Sequence, residues 1–246
     1  MSEFKFPTEE IDLPSKGLLY PKDSPLASGT IEMKYMTAKE EDILTNPNYL
    51  AKGTVIDKLL QALIISKVNY SDLVIGDQNA IMIAARILGY GKDYEFSYGG
   101  YNQKVDLTTL EDKKFDEALI TPHTNEFIFT LPHSKIELTF KVLTVGDGVK
   151  MRKELEGLKK LNKEASSEMS TKLKYMIIAV NGDRDASTVR SFVDTALLAR
   201  DARALREYAA EVQPDINTVV EVETSNGTED IALPITTNFF WPDSTT

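Results

Sequence analysis

The chain has 246 residues, 42% of them apolar, enough for one large packed domain or two smaller ones and unlike a disordered chain. Lys and Arg number 28 against 38 Asp and Glu, and the formal net charge of -10 excludes a nucleic-acid or anionic-membrane surface, because no stretch carries a basic excess able to reverse that field. With no cysteine, disulfides, thiolate nucleophiles and sulfur-ligated metals are excluded as well, so stability must come from packing.

The start, MSEFKFPTEEIDLPSKG, lacks the basic opening and apolar run of a secretory signal, and no window approaches the ~20 apolar residues of a membrane span; a cytosolic chain is expected. Residues 1–28 carry Pro7, Pro14, Pro21 and Pro25 with Gly17 and read as an extended arm crossing a surface, with Leu18, Leu19 and Tyr20 as its apolar anchors and candidate partner-binding residues. Next, GTIEMKYMT puts Ile31, Met33 and Tyr35 on one face, the period of a half-buried strand. Thr37 with Glu40 three residues on has the spacing of a capping box. A core helix is predicted over Thr54 to Lys67, with Val55, Ile56, Leu59, Leu60, Leu63 and Ile64 as its apolar band.

A third helix follows in GDQNAIMIAARILGYG, with Asp77 near its start, Ile81, Ala84, Ala85 and Leu88 buried, and Gly89 or Gly91 ending it. Tyr94 and Phe96 lead into SYGGYNQ, a hairpin tip before KVDLTTL returns. Residues 111–133, with Pro122 and many charges, read as a linker.

Beyond the linker the order recurs. KIELTFKVLT matches TIEMKYMT, with Ile136, Leu138 and Phe140 in the places of Ile31, Met33 and Tyr35, and Thr144 caps as Thr37 does. A helix carrying Tyr175, Met176, Ile177, Ala179 and Val180 answers the one at Lys58 to Leu63, Asp201 takes the place of Asp77, and VVEVETSNGTEDIAL answers the first hairpin. An ordered series with near-constant spacing predicts an α+β protein of two related units, 29–110 and 134–246, made by internal duplication. The second unit holds a helical insertion at 146–168 whose Met151, Leu155, Leu158 and Leu161 form a stripe, read as an exposed helix packed by one face.

Chemistry is sparse. His123 and His133 stand alone beside prolines, without metal-ligand spacing. GDGVK and SYGGYN lack phosphate-loop spacing and read as turns; NGDRDAS, with Asp183 and Asp185, reads as a helix cap through Asp185 or Ser187. Asp77 and Asp201 sit where a helix amino terminus favours a negative acceptor. No catalytic, cofactor-binding or metal-binding residue emerges, and a non-enzymatic binding protein is expected, the rival being an enzyme whose site is assembled from ordinary carboxylates.

The segments LPSKGLLYP, MTAKEEDIL, GDQNAIMIAARILGYGKDYEF, the second hairpin and LPITTNFFWP, in that order, resemble the baseplate hub subunit and hub assembly family of T-even-type bacteriophages over nearly the whole chain. The resemblance implies assembly of the central hub of a contractile tail through contacts with other hub or tail proteins, as a virion component or a transient assembly factor. It places the chain in the host cytoplasm during assembly and, as a component, in the tail baseplate. Some members carry C-x-x-C-G knuckles at both hairpins, a split zinc ribbon; here the matching positions are Tyr98, Tyr101 and Asn102, then Glu223, Asn226 and Gly227, which supply no thiolate or imidazole, so zinc is not expected. The hairpins are expected to stay adjacent through hydrogen bonds and the Tyr98 and Tyr101 rings. Phe239, Phe240 and Trp241 form an aromatic anchor that either folds back onto the second unit or enters a pocket on a neighbouring protein.

Overall fold

The first described element is a strand. The computed structural model of the chain describes residues 7–161, 167–225, 227–235 and 237–240. Thr8–Asp12 (β1) pairs antiparallel with Thr30–Lys34 (β2), Ile11 opposite Ile31. The connection between them turns at Leu13 to Gly17 and again in a 3-10 turn at Pro25–Ser28, and it buries Leu13, Leu19, Tyr20 and Leu26. From Leu13 to Leu26 the predicted surface-crossing arm is thus built into the core: prolines lie at the turns, and Leu13, Leu19, Tyr20 and Leu26 are removed from water.

Ile31 and Met33 face inward from β2 as their alternation predicts. Thr37 and Glu40 form the capping box of α1 (Ala38–Leu44), the Thr37 N–H donating to Glu40 Oε2 at 3.1 Å. After α2 (Pro47–Ala51), α3 (Val55–Leu63) buries Val55, Leu59, Leu60 and Leu63. It stops short of Lys67 because Ile64 bridges to Met33 and the Ile65 N–H donates to the Glu32 carbonyl at 2.9 Å, so the chain leaves the helix to join the free side of β2. In α4 (Ile75–Tyr90), Ile81, Ala84 and Ala85 are buried and Gly91 terminates the helix. A hairpin of β3 (Asp93–Tyr98) and β4 (Tyr101–Asp106) turns at Gly99 and Gly100, both at positive φ, as a tight turn matched to strand twist requires.

The predicted linker at 111–133 holds a 3-10 turn at Glu117–Leu119, buried Ile120 and a strand, β5 (Phe127–Thr130), paired with β6 (Glu137–Phe140). Pro122 and the surrounding charges hide this strand from a composition-based reading. GDGVK, predicted as a turn, begins α5 (Val145–Leu161). The Thr144 N–H donates to Asp147 Oδ2 at 3.1 Å and the Asp147 N–H to Thr144 Oγ1 at 3.2 Å, and this reciprocal cap offsets helical glycines costing about 1 kcal/mol each. Met151, Leu155 and Leu158 are half-buried, the one-faced packing expected; the Leu161 side chain lies outside the described residues.

The single helix expected through Tyr175 and Val180 is corrected. α6 (Glu168–Met176) ends, and Ile177–Val180 is a strand, β7, pairing with β6 so that Leu138 opposes Val180. A short apolar run suits a buried strand as well as a helix face, and here the open side of β6 decides. Asp185 caps α7 (Ala186–Thr195), accepting from the Ser187 and Thr188 N–H groups. Then come α8 (Ala199–Val212), the hairpin of β8 (Val219–Thr224) and β9 (Gly227–Ala232), and a last 3-10 turn at Thr237–Phe240.

The architecture is α+β, with helices around small antiparallel sheets. Both halves begin with strand, Leu-Pro turn, strand and capped helix and end in a hairpin, while β7 stands between the helices of the second half alone. They are joined where residues 73–75 cross 143–145: the Ile75 N–H donates to the Leu143 carbonyl at 3.1 Å and the Val145 N–H to the Leu73 carbonyl at 2.8 Å. At Gly76 a methyl group would sit 1.9 Å from the Pro214 carbonyl oxygen, so α4 approaches the second half as only glycine allows. Buried apolar residues from Leu13 to Phe240 form one continuous core.

Candidate assembly interface

Each half uses a buried aspartate in the first turn of a helix to hold a Leu-Pro turn. Asp77, fully buried in α4, accepts from the Ser15 N–H at 2.9 Å, the Ser15 hydroxyl at 2.6 Å and the Tyr20 hydroxyl at 2.5 Å. Asp201, fully buried in α8, accepts from the His133 N–H at 2.9 Å and the Ser134 N–H at 3.0 Å. These carboxylates were expected to serve their own helix ends; instead they fix segments more than sixty positions upstream. Burial pushes the Asp77 carboxyl above its ordinary value, against the pull of Ser15 and Tyr20. Burial also opposes ionisation of Asp201, but the His133 and Ser134 donors bring it below the ordinary value. Tyr20, whose hydroxyl also accepts from the Val74 N–H at 3.0 Å, is 3% exposed, and Leu19 is equally covered, so neither is available to a partner; Leu18 is half-buried.

The two hairpins lie together. Gln103 of β4 donates from Nε2 to the Glu223 carbonyl at 2.8 Å and accepts at Oε1 from the Glu223 N–H at 3.1 Å, imitating a strand neighbour for β8. Near the tip, the neighbouring Glu229 carboxylate raises the Tyr98 pKa. The expected adjacency is present, and its main device is an amide that the sequence reading passed over. Tyr98, Tyr101 and Glu223 offer two phenols and one carboxylate, a donor set that does not fit the thiolate site of a zinc ribbon; Asn226 lies outside the described residues.

Phe239 and Phe240 are buried in the common core, and Phe239 packs on Tyr94 of the first half. Phe239 meets Tyr94 edge-on at 4.9 Å and Phe240 at 5.3 Å, both phenylalanines are fully buried, and the Tyr94 hydroxyl donates to the Pro234 carbonyl at 2.9 Å. Trp241 lies outside the described residues. Beneath this contact, buried Arg86 donates to the Gly91 and Asp93 carbonyls at 2.9 and 3.0 Å and stacks on Tyr90 and Tyr94, so a cation closes the carboxyl end of α4. Burial lowers its pKa.

What remains exposed includes the tip of the first hairpin, where Tyr98 and Tyr101 stand opposite each other, with Glu229 acting on Tyr98. A cleft of about 400 Å³ between α5, α6 and α7 gathers Lys141, Lys150, Lys174, Arg184 and Arg190. Four of these are ion-paired, to Asp147, Asp194, Glu126 and Glu154. His123 and His133 are both exposed, and the His133 ring faces Arg200 at 3.3 Å. Comparison with protein-family models, with curated proteins and with solved structures found no match. Among the described residues no helix is long and apolar enough to cross a membrane.

Proposed function

We propose that this chain is a non-enzymatic tail-assembly protein of a bacteriophage that helps build the central hub of the baseplate by contacting other hub or tail proteins. One observation carries the reading: three segments on which the resemblance rests meet each other. Ser15 and Tyr20 of LPSKGLLYP bind Asp77 of GDQNAIMIAARILGYGKDYEF, and Tyr94 at the end of that segment binds Pro234 and Phe239 of LPITTNFFWP. Residues that touch across the fold constrain one another, so their joint presence speaks for a shared fold more strongly than separate motifs do. The recurring Leu-Pro turn and buried aspartate support the further proposal that the halves descend from one duplicated unit. The two buried aspartates spend their acceptors on internal donors, which favours a structural over a catalytic role.

In this reading the exposed hairpin tip around Tyr98 and Tyr101 meets the partner, since paired aromatics beside carboxylates suit a protein surface better than a polyanion. Affinity capture of the tagged chain from phage-infected cells should retain baseplate hub proteins; capture of none would refute the role. Mass spectrometry of purified particles then separates a virion subunit from a factor that leaves before maturation.

A further inference from the structure

We propose that β5 is a docking edge to which a second copy of this chain adds its own β5, antiparallel, about a twofold axis at Phe129. Backbone register identifies the free groups. The Leu131 N–H donates to the Ile136 carbonyl at 2.9 Å, and Phe129 and Phe127 share that side of the strand. The N–H and C=O groups of Ile128 and Thr130 therefore point away from β6. On its other side β6 turns Glu137 toward β7, where the Asn181 N–H donates to the Glu137 carbonyl at 2.8 Å, leaving β5 as the end strand of the order β5, β6, β7. Among the described residues nothing bonds the outward groups of Ile128 and Thr130.

The corresponding edge of the first half is protected. Counting back from each Leu-Pro pair, β1 places Glu10 and Asp12 where β5 places Ile128 and Thr130. Carboxylates along an edge discourage pairing with another strand, whereas an uncharged edge invites it. Ile128 is 66% exposed, more than any other large apolar side chain among the described residues.

A second copy fits this edge because the strand is its own complement. With Ile128 opposite Thr130 of the other copy, every outward N–H and C=O of both residues finds a partner on both strands, and Phe129 falls on the axis. Residues 127–132 carry no charge, and Glu126, already paired with Arg184, comes opposite Pro132, so no carboxylate faces another along the ladder. The two three-stranded sheets would become one of six strands. The net charge of -10 on each chain opposes association at a distance, so added salt should strengthen it.

Sedimentation of the full chain across concentration and ionic strength tests this. The expected result is a monomer–dimer equilibrium that tightens with salt and weakens at least tenfold in Ile128→Lys and in Thr130→Lys, with circular dichroism and melting temperature unchanged. The chain has no cysteine, so mixing Ile128→Cys and Thr130→Cys chains under oxidation reports register: opposed Cα atoms about 5.5 Å apart should join the two variants to each other far faster than either to itself. A monomer at every concentration, a dimer that survives both lysine substitutions, or cross-linking as fast within one variant as between two would overturn the proposal.

Discussion

Gln103 and Glu223 are joined twice, the side-chain amide of one to the backbone N–H and C=O of the other, across hairpins 120 positions apart. Such a pair does for one strand what a neighbouring strand would do, and it ties β4 to β8.

Replacing Gln103 by Leu keeps its volume and leaves both Glu223 groups without their partner. A loss of about 1–3 kcal/mol is expected in denaturant unfolding, together with faster hydrogen exchange at the Glu223 amide. Unchanged exchange there would mean that the hairpins hold together by other means.

Phe239→Ala should cost about 3–5 kcal/mol, because a fully buried ring that packs on Tyr94 and Phe240 leaves a cavity when truncated. A surface anchor would behave differently, losing partner binding at unchanged stability. Thermal melts of the isolated chain distinguish the two.

Tyr98→Ser with Tyr101→Ser should change stability by less than about 1 kcal/mol, both rings being more than a third exposed. On the proposed hub role, capture of hub proteins should nevertheless fall sharply. Undiminished capture would move the partner surface elsewhere on the molecule.

The α5, α6 and α7 helices are joined by Glu154, which receives both Arg190 Nη atoms at 2.8 Å and the Tyr175 hydroxyl at 3.0 Å. Arg190 foremost, with Tyr175, holds the Glu154 pKa down to about 2, from an ordinary value of 4.5, although partial burial opposes this. A carboxyl depressed on folding adds stability above its unfolded pKa and loses it as pH falls toward the folded one, so this contribution should fade between about 4.5 and about 2. Asp77, raised by burial, has the opposite sign: its contribution is greatest in acid and declines as pH rises through its folded value. Urea titrations should show Glu154→Gln flattening the acid loss and Asp77→Asn flattening the decline above it.

Local patterning made much of the fold legible. Alternation in TIEMK, the Thr37 and Glu40 spacing and the paired glycines at 99 and 100 each encode a structure through neighbouring residues alone. Where contacts between distant segments decide, the sequence was ambiguous. Ile177–Val180 becomes a strand because β6 offers an edge, and Leu19 and Tyr20 are buried because Asp77 waits in α4. The repeated Leu-Pro at 13–14 and 131–132 was the available signal for both turns, and counting it would have exposed β5 inside the apparent linker. Gln103 gives no such signal, since a glutamine in a strand reads as a solvated one until the second hairpin is beside it.

The proposed role in hub assembly is tested most directly by electron microscopy of lysates from a phage in which the gene for this chain is interrupted early. Heads should be normal while baseplates lack their central hub and tails fail to form, with complementation restoring both. Intact, infectious particles from the interrupted phage would contradict the account.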